Sequence, residues 1–206
     1  LLFKQFKGGK NTNPEQELRL EEIIDRISLI NDYYNGVSVK GHLDDCGIIA
    51  VFLAPQVGAD PEISHLGAKF HDLGAILGGR DNHEILGAYL ARMILRYLGF
   101  DEDKIDAVVN CVLSHRSSID NFDELTLEQM VVRAADALSH FRRVIYLWEE
   151  EYQKRVILDK ATFDDIKGKL AKKFAKDLKK PCPSAQARMP TDYTSWHLPN
   201  WKNCTA

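Results

Sequence analysis

The sequence predicts an all-α fold. Three observations carry that expectation. Apolar residues recur at three- and four-residue spacing through most of the 206 residues, the period of a helix with one buried face. Helix-start pairs (Asn13-Pro14, Asp60-Pro61) and helix-stop residues (Asn35-Gly36, Gly99) punctuate those stretches. No strong strand alternation and no internal repeat interrupts them. The composition is 45% hydrophobic, enough for a sizeable core and unlike a disordered chain. The length fits one domain with an extension.

Asn13 caps the first helix, with Pro14 at its first position. Leu18, Leu20, Ile23, Ile24, Ile27 and Leu29-Ile30 form its apolar face as far as about Tyr34. A second helix is expected from about Gly41 to Gln56. Asp60-Pro61 starts a third, expected to carry "AKFHDLGAILGG" and to stop near Gly74. Gly78 to Asn82 form a loop, with Asn82 capping the fourth helix, which runs to Leu98. Asp101 to about His115 makes a fifth. Thr126 and Gln129 read as a capping box opening a long sixth helix that reaches residue 155. Residues 162–180 form an amphipathic helix with Ile166, Leu170, Phe174 and Leu178 on one face. Lys169, Lys172, Lys173, Lys176 and Lys180 line another, read as a solvated face. Prolines 181, 183, 190 and 199 mark an irregular tail.

The net charge of −3 creates no global attraction to nucleic acid or anionic lipid. No apolar run reaches the length of a spanning helix, and no hydrophobic signal segment opens the chain. The four cysteines form no Cys-x-x-Cys pair, and Cys46 and Cys111 lie among Ile and Val as small buried hydrophobes. These features predict a cytoplasmic protein without a membrane partner.

Within this apolar framework the polar exceptions stand out. His71 and Asp72 adjoin in a stretch otherwise suited to a core, and Asp136 lies among Val131, Val132, Ala134, Ala135 and Leu138. A buried carboxylate without a partner costs several kcal/mol. Imidazole nitrogen and carboxylate oxygen together suit divalent metals such as Fe, Mn, Co or Zn. Adjacent side chains on a helix diverge by about 100°, so the pair grips one ion only at a helix edge, with other helices completing the site. His42, His83 and His115 stand at the ends of other predicted helices.

The ordered set His42, His71-Asp72, His83, His115, Asp136 resembles the HD-domain superfamily of metal-dependent phosphohydrolases. "GHLDDCGIIAVFLA", "HLGAKFHDLGAI", "NHEILGAYLARMILRYLGF", "VVNCVLSHR" and "LEQMVVRAADALSHF" each look like a family segment, over about residues 18–145. The resemblance implies an HD-domain helical bundle over 1–160, with a C-terminal amphipathic helix at 161–180 and an irregular tail at 181–206. It implies that His42, His71, Asp72 and Asp136 hold one metal ion, and that Asp72, His83 and His115 hold a second, with Asp72 bridging. Two divalent ions (Mn, Fe, Co, Zn or Mg) about 3.5–4 Å apart generate a hydroxide and clamp a phosphoryl group. The expected activity is hydrolysis of a nucleotide or another small phosphomonoester or diester by a metal-bound hydroxide, with Asp72 and His71 at the catalytic centre.

Arg80 and Arg116 are the candidates for binding substrate phosphate; Lys69 and Arg133 also flank the motifs. Asp44 and Asp45 either orient an imidazole or, the preferred reading, are solvated charges, and His65 is read as structural or exposed. His140, one turn after Asp136, could reach substrate, support the aspartate or simply pack. No separate nucleic-acid module is visible. Two other functions fit the same ligands: a di-iron oxygenase of the HD fold, as in myo-inositol oxygenase, and a non-catalytic nucleotide sensor. Retention of the whole ligand set argues against the sensor.

Overall fold

The computed structural model describes residues 13–30, 39–116, 124–143 and 162–177. Their elements are α1 (Pro14–Ile30), α2 (Val39–Val57), α3 (Pro61–Phe70), α4 (Leu73–Gly78), α5 (His83–Tyr97), α6 (Glu102–Ser114), α7 (Leu127–Arg142) and α8 (Phe163–Asp177). The described residues contain no strand, so the predicted all-α class holds. None of these helices is long and apolar enough to cross a membrane.

The caps behave as their residue types dictate. The Asn13 side chain accepts from the Glu15 amide at 3.0 Å. Asp60 accepts from the amides of Glu62 (2.8 Å) and Ile63 (3.0 Å) at the start of α3. Thr126 and Gln129 form the complete capping box of α7. Gly99 takes φ 79° after α5, the left-handed geometry that ends helices at glycine.

Three expectations need correction. The third helix does not run through the His-Asp pair to Gly74. It ends at Phe70, and Asp72 (φ −105°, ψ 5°) lies in a turn before α4. The pair therefore sits on a helix break, which removes the 100° divergence that a continuous helix imposes. Asn82 stands at the start of α5, but at φ 54° and with no side-chain capping bond; asparagine tolerates this conformation better than most residues. Finally, α7 ends at Arg142, because Arg143 leaves helical geometry at φ −105°, ψ 23°. The expected end of the first helix near Tyr34 and the tail 181–206 lie outside the described residues.

Two hydrophobic groups make the core. One gathers Leu20 and Ile24 of α1 with Leu73, Ile76, Leu90, Leu95, Ile105 and Val108. The other gathers Cys46, Ile49 and Leu53 of α2 with Cys111, Val131 and Val132. Helix α3 serves both, through Leu66 and Phe70 on one side and Ala68 on the other. Its Gly67 lets it wedge between α6 and α7: a Cβ there would lie 2.7 Å from that of Cys111 and 2.9 Å from Val132 Cγ2. Buried Lys69 ties α3 to α1 and α2 through Glu21 (2.8 Å) and Asp44 (2.5 Å).

The tightest approach is α4 on α5. A Cβ on Gly74 would collide with the His83 carbonyl oxygen and lie 2.5 Å from the Gly87 amide nitrogen. Both obstacles are backbone, so no rotamer change relieves them. Gly74→Ala is expected to destabilise the fold by about 3 kcal/mol, the upper end of ordinary overpacking costs, read as a lowered urea midpoint. An unchanged midpoint would mean that α4 and α5 separate freely.

Candidate metal centre

The break after α3, the start of α5, the end of α6 and the inner faces of α2 and α7 converge on one point. His42 comes from α2, His71 and Asp72 from the break, His83 from α5, His115 from the residue after α6 and Asp136 from α7. All six predicted ligands are brought together.

Their imidazoles are held in one tautomer. The Nδ1–H groups of His71, His83 and His115 donate to the carbonyls of Ala68 (2.7 Å), Arg80 (2.8 Å) and Val112 (2.6 Å). A carbonyl only accepts, so the proton lies on Nδ1. His42 reaches the same state through a hydroxyl. Ser139 donates its one proton to the Asp136 carbonyl at 2.7 Å, so its Oγ accepts from His42 Nδ1–H at 2.9 Å. All four Nε2 atoms thus face the site, the orientation that metal-ligating histidines take from their outer partners.

The Nε2 atoms pair off. His42 and His71 place theirs 3.1 Å apart, and His83 and His115 3.0 Å apart. Asp72 stands between the pairs. Its Oδ2 lies 3.7 Å from both His42 and His71. Its Oδ1 lies 3.0 Å from His83 and 3.5 Å from His115. Asp136 Oδ1 completes the first group, 3.5 Å from His42 and 3.7 Å from His71. The donors therefore form two clusters of a size to hold an ion: His42, Cys46, His71 and Asp136, and Asp72, His83 and His115.

The electrostatics show what the clusters lack. Two lone pairs about 3 Å apart repel unless a positive charge lies between them. Burial pushes His71 down, but Asp72 and Asp136 outweigh it and raise its pKa to about 9. Burial, His71 and His140 drive His42 well below its ordinary value. The second pair divides the same way. Burial opposes a charge on His83, yet Asp72 raises it; burial wins at His115, which falls. Burial alone would raise Asp72, but His71, His115 and His83 hold it well below the carboxylate range. Each nitrogen pair calls for a cation, and the mixed nitrogen and oxygen donors fit a divalent transition metal. Cys46 Sγ lies 3.7 Å from His42, and burial and then Asp136 push its thiol well up.

The surrounding charges are largely committed. Arg133, predicted only to flank the motif, is fully buried and donates to the carbonyls of Ser114 and Arg116, both at 2.9 Å. It thereby caps α6 and fixes His115. Arg116 is partly exposed and pairs with Glu84 at 3.0 and 3.1 Å. That pair joins the residue after one ligand to the residue after another. Arg80 is exposed, and its carbonyl holds His83. Asp44 binds Lys40 and Lys69, and Asp45 binds Arg142 and Arg143, so neither is simply solvated. His65 Nδ1 lies 3.3 Å from the Gly47 carbonyl, away from the site, as expected. Sequence reasoning missed Ser139 and Cys46; their only signals are spacings of three from Asp136 and four from His42.

A helical bundle that converges imidazoles and carboxylates from several helices defines a candidate metal-binding domain. Comparison makes this specific: residues 39–140 match the HD domain family, and the chain carries an HD domain. It is similar to ribonuclease Y of Cutibacterium acnes, 34% identical over 127 residues (60% of this chain, 21% of that protein). It is 35% identical over 137 residues to ribonuclease Y of Treponema denticola (66% and 24%). It is 30% identical over 140 residues to ribonuclease Y of Thermotoga maritima (66% and 24%). The chain thus spans about a quarter of the length of these curated relatives. No solved structure matches it.

The tautomer argument makes Ser139 a determinant of metal affinity. Ser139→Ala removes the acceptor for His42 Nδ1–H. It should weaken divalent-metal binding by about tenfold or more, as loss of such outer partners does elsewhere, with far-UV circular dichroism unchanged. Wild-type affinity in a metal titration would remove Ser139 from this role.

Proposed function

We propose that this chain is a metal-dependent phosphohydrolase that uses two divalent ions to cleave a phosphodiester. One observation carries the reading: the two oxygens of Asp72 face different clusters. His42, His71 and Asp136 would hold one ion with Asp72 Oδ2, and His83 and His115 the other with Asp72 Oδ1. Bound divalent ions supply Lewis acidity toward a phosphoryl oxygen and lower the pKa of water into the neutral range.

The protein's own residues supply the rest. The Nδ1–H bonds hold four imidazoles with Nε2 toward the site, so little reorganisation is left to the moment of reaction. Asp72 and Asp136 bring negative charge that offsets the ions. Arg80 lies three residues before His83 and Arg116 directly follows His115, and we assign them the nonbridging phosphate oxygens. The Glu84 carboxylate aims the Arg116 guanidinium rather than leaving it to wander.

The names of the relatives, ribonucleases, support a phosphodiester as the substrate class. RNA or a short oligonucleotide is the favoured form. The net charge of −3 means that recognition rests on local contacts rather than on a basic field.

The test is anaerobic hydrolysis with Mn²⁺ or Co²⁺ of a short RNA, a nucleotide panel and an activated aryl phosphodiester. Turnover is expected with at least one, because neither step needs a redox-active metal. Oxygen consumption by iron-loaded protein, with no hydrolysis across the panel, would replace this reading with the oxygenase one.

Metal stoichiometry tests the two-ion reading separately. Saturated protein should bind two ions per chain, and the His83→Ala, His115→Ala double variant one. Asp72→Asn should lose turnover and disturb both ions while the helices persist. Arg116→Ala should raise KM or lower kcat with both ions retained. A single ion in the saturated unmodified protein would overturn the two-ion reading.

A further inference from the structure

Helix α8 lies beyond the matched HD segment, yet one of its side chains reaches the metal centre. Its buried face carries Ile166 and Leu170, and Phe174 stacks on Phe141 of α7 with ring centroids 5.0 Å apart. The same face ends on Asp177, which is only 2% exposed. A carboxylate is an expensive end to an apolar stripe unless something nearby requires its charge. Asp177 Oδ2 lies 2.9 Å from His140 Nδ1 as an ion-pair contact; both atoms are buried and neither makes a hydrogen bond, so the contact is one of charge and packing. Lys173 is the more distant partner at 3.7 Å, with its side chain 34% exposed.

The other side of His140 faces the first cluster. Its ring stacks on His42 at 5.2 Å and 11°. Its Nε2 lies 3.6 Å from Asp136 Oδ1, the same oxygen that faces His42 and His71. His140 is thus held between the Asp177 carboxylate and the Asp136 oxygen, with its ring packed flat on His42.

We propose that Asp177 and His140 are positioning residues for the first metal cluster. Asp177 fixes the His140 ring, and His140 fixes His42 and Asp136. The affinity of the His42–His71–Asp136 cluster then depends on α8, while the His83–His115 cluster does not. This inference rests on the two-ion reading above, and its test separates the two.

Full-length protein is stripped with chelator and titrated with Co²⁺, following visible absorption and heat. Asp177→Asn should weaken one binding event by about tenfold or more and leave the other unchanged. The unchanged event should be the one lost in the His83→Ala, His115→Ala variant. His140→Gln should repeat the pattern. Phe174→Leu, which loosens α8 without touching the pair, should lower the melting temperature and keep both affinities. The inference is overturned if Asp177→Asn binds both ions as the unmodified protein does, if it weakens both equally, or if Phe174→Leu gives the same selective loss. If the unmodified protein binds one ion only, the two-ion reading fails by itself. Weakening of that single event by Asp177→Asn, with Phe174→Leu unaffected, would still support the positioning role, and no weakening would overturn it.

Discussion

The contact between the backbones of α4 and α5 sets the geometry of everything around the metal centre. Gly74 has no room for a side chain because the His83 carbonyl and the Gly87 amide lie against it. Gly87 in turn lies close to Phe70, with its Cβ position 3.2 Å from that carbonyl. The end of α3, the short α4 and the first turns of α5 are thereby locked together. Asp72 lies in the turn that this contact closes, and His83 is the residue whose carbonyl makes it. That packing brings the two residues together, and their side chains meet with Asp72 Oδ1 3.0 Å from His83 Nε2.

The second constraint is charge. The centre concentrates four imidazoles and the carboxylates of Asp72 and Asp136 where water has little access. Buried His42, His71, His115 and Asp136 are each at most 6% exposed. Such a collection is unfavourable without cations. The opposite pKa directions within each imidazole pair express this: one member of each pair is raised against its own burial and the other is lowered. A divalent ion would remove the conflict more completely, because both nitrogens and the adjoining carboxylate oxygen could share it. The Nδ1–H bonds at the far side of each ring then bear no cost of rearrangement.

What the sequence revealed was what local interactions decide. Periodicity and caps such as Asp60, Thr126 and Gly99 act within a few residues, so the starts of the expected helices were legible to within a turn. The candidate ligands stood out because carboxylates and histidines at core positions have few bland explanations. The break at His71-Asp72 was not legible. Nothing local stops α3 there; the reason is the approach of α5 to Gly74, residues that meet only in the folded chain. The Arg116–Glu84 pair and the Arg133 cap on α6 escaped for the same reason, since 32 and 19 residues separate the partners in sequence. Asp177 carried no signal at all, being one acid at the end of a lysine-rich helix.

This difference in legibility has a structural logic. Helices α2 to α7 supply every group in the two clusters and coincide closely with the segment 39–140 that defines the family. That segment must satisfy its own geometry, so its features recur as recognisable sequence. Elements outside it can touch the centre only from its rim. His140, the last residue of the matched segment, is such a rim position: one nitrogen faces Asp136 and the other faces outward. A single carboxylate delivered there by an added helix reaches the ligands through one imidazole, with no change to the ligands themselves. Such a helix needs only an apolar face to dock and one acid at its end, as α8 has in Ile166, Leu170 and Asp177.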